Sequence, residues 1–232
     1  MHVPNESVRA QCCFALRAAS ALLLFFTPTS LLTAHEPPQW RSLMAAIDVR
    51  NDVHAGEWRR GRDVIEVNAV DRARITLPVA PEGEYDFRVS FTRFSGEGAI
   101  VIIFPVGRGQ ATFEVDAEGE HLAGIKNVDG KPIRDNPTRA KGFKLRNGQR
   151  YTMTIEVRDG EVRGLLDGKV IVTYETDGDD LSVAEEWEIP KTDHLGLGAA
   201  KSATAFHAIE FRGVEKEEEE EPEKVDPDKA NA

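Results

Sequence analysis

The sequence predicts an all-β, two-layer antiparallel β-sandwich, and three observations carry that reading. Residues 151–175 (YTMTIEVRDGEVRGLLDGKVIVTYE) hold three runs of alternating apolar and polar residues joined by Asp159-Gly160 and Asp167-Gly168. Asp-Gly suits tight hairpin turns whose twist matches the flanking strands, so the three runs form an antiparallel meander. Strand signals recur about every ten residues elsewhere, and no segment carries the period of a helix of ordinary length. The run 99–106 (AIVIIFPV) is apolar on both faces, as a central strand covered on each side must be. A sandwich with one sheet overlaid by loops meets that demand better than a small barrel.

In chain order, the first feature is Arg9 and Arg17 followed by the apolar run 18–26, Pro28 and a small-residue exit at Thr33-Ala34. This is the layout of a secretory signal peptide (1–34) cleaved after Ala34, the run being short for a membrane span. Candidate strands follow at 44–49, 57–60, 64–68, 74–77, 85–93, 99–106, 111–115 and 122–126, then the meander, then 194–200 and 205–211. Turn chemistry separates them, as at Pro81-Glu82-Gly83, Gly107-Arg108-Gly109 and Asn147-Gly148. One short helical turn is expected at 180–186, with Asp180 as its cap. Residues 215–232 hold nine acidic and three basic side chains and almost nothing apolar, so a disordered acidic C-terminal tail is expected. The folded domain is then 35–214.

Charge and cysteine usage exclude several classes. Setting aside the tail's −6 and the +1 of the first 34 residues leaves −6 of the total of −11 for the folded part. Nucleic acid and anionic membrane surfaces are poor partners for such a surface. Both cysteines, Cys12 and Cys13, would leave with the signal peptide, so the exported domain relies on core packing alone. The six histidines show no ligand spacing, and no nucleophile elbow, phosphate loop or dinucleotide fingerprint occurs. The expected location is secreted or periplasmic, without membrane insertion after cleavage, and the expected state is a monomer.

The order of features resembles the concanavalin A-like lectin/glucanase superfamily, which includes laminin-G-like modules. The resemblance rests on Gly56-Glu57-Trp58, Tyr85-Asp86-Phe87-Arg88-Val89, the long apolar strand, Gly148 to Tyr151, Asp167-Gly168-Lys169 and Leu195-Gly196-Leu197-Gly198. It covers roughly residues 43–214 and is strongest toward small secreted bacterial proteins, some of them labelled 3-keto-disaccharide hydrolase domains. The resemblance implies a jelly-roll sandwich; its members include lectins, glycosidases and adhesion modules.

The sharpest chemical motif is Glu114-Val115-Asp116-Ala117-Glu118. On an uninterrupted strand, alternation places its three carboxylates on one face, and a retaining glycosidase needs two carboxyls about 5 Å apart across the sugar. The following Gly119-Glu120 reads as a turn that interrupts the alternation before the second Glu, so a solvated strand end before a hairpin turn is the favoured account. Sugar binding needs an aromatic platform for the C–H face of a pyranose and planar polar side chains for its hydroxyls. The candidates for ligand binding are Trp187, Arg93, Asn136 and Asp193, with Trp40 and Asn127 behind them. Trp58, Phe87, Phe91 and Phe104 sit at inward strand positions and read as core. Four carboxylates crowd Glu175-Thr176-Asp177-Gly178-Asp179-Asp180, a composition calcium accepts, although the spacing matches no twelve-residue calcium loop.

The sequence therefore points to a carbohydrate-binding, lectin-like module for a glycan or glycosylated surface, with no catalytic residue and no obligatory cofactor, calcium remaining possible. The alternatives are a sugar-active hydrolase, either of the 3-keto-disaccharide type or a glycosidase using Glu114 and Glu118, and an adhesion module that binds protein.

Overall fold

The computed structural model describes residues 39–214. The expected signal peptide (1–34) and acidic tail (215–232) lie outside the described residues. Fifteen strands occur among the described residues. They are β1 (Arg41–Ser42), β2 (Val53–Ala55), β3 (Trp58–Arg60), β4 (Ile65–Val67), β5 (Ala73–Thr76), β6 (Glu84–Gly96), β7 (Ile100–Val106) and β8 (Gly109–Ala117). After these come β9 (Leu122–Lys126), β10 (Ala140–Lys141), β11 (Arg150–Arg158), β12 (Glu161–Leu166), β13 (Lys169–Glu175), β14 (Gly196–Ala199) and β15 (Ser202–Val214). Single turns of 3-10 helix stand at Ile133–Asp135 and Glu185–Trp187, and no α-helix occurs among the described residues, so none is long and apolar enough to cross a membrane.

The strands form two antiparallel sheets, which make the sandwich the sequence predicts. Sheet A runs β13-β12-β11-β6-β15-β4-β3, with β1 beside β15, and sheet B runs β10-β9-β8-β7-β14-β5-β2. Strand alternation builds the layer between them. Phe87, Phe91, Ile155 and Phe206 of sheet A are buried with Ile102, Phe104 and Phe113 of sheet B. Trp58 belongs to this core and stacks on Phe206 at 5.7 Å between ring centroids.

The meander pairs as expected, with Arg158 opposite Glu161 and Leu166 opposite Lys169. The second turn has positive φ at both Asp167 (49°) and Gly168 (76°), the pattern of a type I′ hairpin. In the first turn positive φ falls on Gly160 (79°) and not on Asp159. Two expected elements differ. Residues 44–49 form turns rather than a strand: Leu43 and Ile47, four apart, both reach the core, while the Asp48 carboxylate accepts hydrogen bonds from Arg50 N–H and Asn51 Nδ2. An Asp that gathers local donors in this way favours a turn over a ladder. The helical turn expected at 180–186 reduces to the 3-10 turn at Glu185–Trp187, and Asp180 instead accepts hydroxyl hydrogen bonds from Tyr174 and Thr176.

Strand β7 is apolar on both faces, as expected. Ile100, Ile102 and Phe104 face the inter-sheet core, whereas Val101 and Ile103 face outward into a second cluster with Ala184, Trp187 and Ile189. The segment 176–195 therefore crosses the outer face of sheet B. It is tied down by the Gln110 side-chain amide, which donates to Ile189 O and Lys191 O, and by Arg74 Nε, which donates to Glu188 O. Strand β14 makes room for it. A Cβ at Gly198 would stand 2.7 Å from the Trp187 ring, and one at Gly196 would stand 3.0 Å from Ile189.

Two glycine substitutions separate backbone strain from lost space. Gly168→Ala meets nothing within 4 Å, so its cost is that of positive φ alone, about 1 kcal/mol. Gly198→Ala costs about 1–3 kcal/mol by overpacking and shifts the tryptophan emission, which Gly168→Ala leaves unchanged. Urea midpoints and emission spectra of the two variants check this; an unshifted spectrum in Gly198→Ala would mean that Trp187 does not sit on β14.

Candidate functional site

Beside the covering segment lies a cleft of about 210 Å³ on the outer face of sheet B, lined by Glu114, Asp116, Glu118, Lys126, Glu186 and Trp187 among others. Glu114 on β8 and Lys126 at the end of β9 lie on neighbouring strands, while Glu186 comes from the 3-10 turn above them. Lys126 Nζ donates to Glu186 Oε1 at 2.8 Å and stands 3.8 Å from Glu114 Oε1. Thr112 Oγ1 also donates to Glu114, at 3.4 Å. The Glu114 carboxyl is 3% exposed. Burial pushes it up to about 7, against the pull of Lys126, and Glu118 and Glu186 add to the rise. Lys126 is itself partly buried, which works against its charge, but Glu114 and Glu186 hold it on balance above the usual lysine range.

Glu114, Asp116 and Glu118 all line this cleft, but not in the regular alternation of one strand face. A bulge in the β8–β9 pairing lies between Val115 and Ala117, with Asp116 at φ 63°. Val115 belongs to the inter-sheet core and Ala117 to the outer cluster, so Asp116 falls between the two faces. Its carboxylate is held by Arg93 Nη1 (2.8 Å), His121 Nδ1 (2.6 Å) and Leu145 N–H (3.0 Å). Glu118 stands in a turn and accepts from Arg134 Nε (2.7 Å), Ile133 N–H (3.1 Å) and Arg134 N–H (3.3 Å). The interruption of alternation is as the sequence suggests. The solvated strand end is not: Glu114 and Asp116 are both buried, because the covering segment closes over one and the sandwich rim over the other.

The four residues singled out for ligand binding are not gathered in one place. Trp187 lines the cleft but is 3% exposed, with its ring packed over Gly198. Arg93 is buried and donates to Asn147 Oδ1, Gly98 O and Leu145 O besides pairing with Asp116. Asn136 staples the 133–138 turn to β9, its Nδ2 donating to Ile125 O and Lys131 O and its Oδ1 accepting from Thr138 N–H and Oγ1. Asp193 is exposed, pairs with His194 at 2.6 Å and stands outside the cleft lining. Trp40 lies across sheet A instead, between the guanidinium groups of Arg88 (4.0 Å) and Arg212 (4.6 Å). Sequence reasoning missed Lys126 and Glu186. They are sixty residues apart and meet because the covering segment returns over β9, a contact without a local signal. The acidic run 175–180 turns inward on itself, Asp177 Oδ1 accepting from Asp179 N–H and Asp180 from two hydroxyls. Among the described residues no three His, Cys, Asp or Glu side chains are grouped as metal ligands would be.

No protein-family model matches the chain, and no curated protein sequence does. Solved structures do share its fold. The VIP36 exoplasmic/lumenal domain, in a form bound to Ca2+ and Man3GlcNAc, is 10% identical with a TM-score of 0.52, the match covering 74% of this chain and 89% of that one. A Parabacteroides distasonis protein described as a candidate glycosyl hydrolase is 14% identical with a TM-score of 0.50, covering 76% and 100%. The Bacillus subtilis carbohydrate-binding module CBM66 is 12% identical at 0.48, covering 76% and 97%. At such identities the first two likenesses establish a common sandwich fold.

The raised Glu114 carboxyl has a thermodynamic signature. The folded chain keeps a proton that the unfolded chain loses above about pH 4.5, so this group's contribution to stability falls as pH rises from about 4.5 to about 7 and is flat beyond. Over that window the loss is on the order of 3 kcal/mol. Glu114→Gln, which cannot ionise, gains relative to the parent by that amount between pH 4.5 and 7.5. Unfolding free energies of the two proteins across that range decide it; parallel curves would mean that Glu114 is ionised in the fold.

Proposed function

We propose that this chain is a glycan-binding β-sandwich domain that takes its ligand at the Glu114–Lys126–Glu186 cleft. The observation that carries the reading is the cleft floor. A buried carboxyl stands there beside an ammonium and a second carboxylate, open on one side to solvent. Sugar hydroxyls both donate and accept, and this set offers partners for each within one small volume. The VIP36 domain, whose fold is shared, is bound to Man3GlcNAc. On this reading the domain belongs near the laminin-G-like modules of the concanavalin A-like superfamily, is exported after cleavage at Ala34, and binds without turnover.

A hydrolytic reading is favoured by one observation: a carboxyl raised to about 7 suits a general acid near neutral pH. Against it stands the engagement of the other cleft carboxylates, Glu118 by Arg134 and two backbone N–H groups, Asp116 by Arg93 and Glu186 by Lys126, so that Glu114 lacks an unengaged partner among them. The 3-keto-disaccharide hydrolase-like alternative meets the same lack.

Lys126→Met keeps the aliphatic stem and removes the ammonium. It is expected to weaken binding of immobilised β-glucan, mannan or xylan hexasaccharides about tenfold or more, with or without calcium. Glu114→Gln is expected to retain binding, and neither the parent nor the variant releases reducing ends. Reducing ends from the parent that vanish in Glu114→Gln would replace the binding reading with the hydrolytic one.

A further inference from the structure

The outer face of sheet A carries a second feature that the cleft does not use. Along β6 the outward residues alternate, and each finds a polar partner: Asp86 with Arg158 and Arg212, Arg88 with Glu210, Ser90 with Thr152 (2.7 Å), and Thr92 with His207 (2.9 Å). Phe94 is next in that series and breaks it. It is 56% exposed, and Val170 is the other large hydrophobic exposed among the described residues. Beside Phe94 lies a groove of about 240 Å³ lined by Ala203, Glu66, Arg59, Asn68 and Glu57.

Register explains the groove. Ser95 pairs with Ala203 on β15, Ala205 pairs with Glu66 on β4, and Glu66 pairs with Arg59 on β3. The row through Arg59, Glu66 and Ala205 thus ends on Thr92 of β6, and Phe94 stands two residues on, where the β6–β15 register shifts between Ala203 and Thr204. Ala203 and Thr204 line the trough between the ring and the charges. Asn68 Oδ1 accepts from Glu57 N–H at 3.1 Å, which fixes the amide at the end of the trough. Arg59 is 78% exposed and stands a loose 4.0 Å from Glu57.

We propose that this groove is a second glycan site, in which one pyranose lays its C–H face on Phe94 and directs its hydroxyls to Glu66, Arg59 and Asn68. An aromatic face beside an acceptor, a forked donor and an amide is the chemistry a pyranose requires. A protein partner would call for a continuous apolar centre, whereas here a single ring stands among solvated charges. The proposal rests on the glycan-binding reading for its ligand class but not on the cleft, which lies on the other sheet. A chain with both sites would join two sugar units from opposite faces of the sandwich.

Calorimetric titration of the full chain with the β-glucan, mannan and xylan hexasaccharides tests this. The parent is expected to take two hexasaccharides of the class it binds. Phe94→Ala takes one at unchanged affinity, and Phe94→Trp keeps two. Because Phe94 is exposed, circular dichroism of Phe94→Ala should match the parent. Lys126→Met should lose the other equivalent. Unaltered stoichiometry and affinity in Phe94→Ala would overturn the second site and leave the cleft reading standing. Loss of binding in Phe94→Ala with none in Lys126→Met would keep the groove and reject the cleft. A parent that binds none of the hexasaccharides overturns both.

Discussion

Val101 and Ile103 point out of sheet B, away from the layer that the two sheets share, and two such side chains cannot be left in water without cost. The segment 176–195 answers that constraint by crossing the sheet with Trp187 and Ile189 seated on two glycines of β14. The seat explains the spelling Leu195-Gly196-Leu197-Gly198: the leucines at 195 and 197 face the inter-sheet core, and the glycines leave the outer surface bare for the cover. The site follows from the cover as well. Its edge stops over β8 and β9, closes Glu114 away from solvent, and brings Glu186 onto Lys126.

A second buried interaction locks the rim. Arg93 on β6 and Asp116 on β8 belong to different sheets, and their ion pair at 2.8 Å is nearly inaccessible to solvent. Charges so placed demand full hydrogen bonding, since removing one partner of a buried pair typically costs about 3–5 kcal/mol. That demand is met: Asp116 has two further donors, and the guanidinium has three further acceptors. The bulge at Asp116 makes this geometry possible and also carries the chain into the turn that commits Glu118 to Arg134. The feature that closes the sandwich thereby ties two of the motif's three carboxylates into the fold at the border of the cleft.

The meander and β7 were legible because their signals are local. Asp-Gly pairs state a turn, and two-sided apolarity states a covered strand. Residues 44–49 misled because apolar residues in a short run serve a turn as well as a strand, and the decision lay with the Asp48 side chain. At the site, Glu114 was visible as a motif but its burial was not, since burial depends on a segment about seventy residues downstream. Arg93 and Asn136 have the right chemistry for sugars, but their polar atoms are spent on the fold. Composition alone gives no sign of that engagement. Phe94 illustrates the converse. By spacing it is one more aromatic on a strand rich in them, and it falls outside the core because Phe87 and Phe91 fix the inward parity and 94 has the other.

Parity and bulge together bear on what the cleft can do. Had β8 continued without its bulge, Glu114, Asp116 and Glu118 would share the outer face, and two carboxyls of opposite role would flank one ligand. With the bulge, Asp116 and Glu118 border the cleft but are held by Arg93 and Arg134. Glu114 is protonated up to near neutrality by burial and faced by an ammonium that also steadies the cover. Such a group donates a hydrogen bond at acid pH and accepts one above, while Lys126 donates throughout. Glu114 can hold a hydroxyl, while the other carboxylates of the motif and the cover are each engaged by a cation. The bulge thus decides which carboxylates at this face are committed to the fold and which one, Glu114, is left facing Lys126.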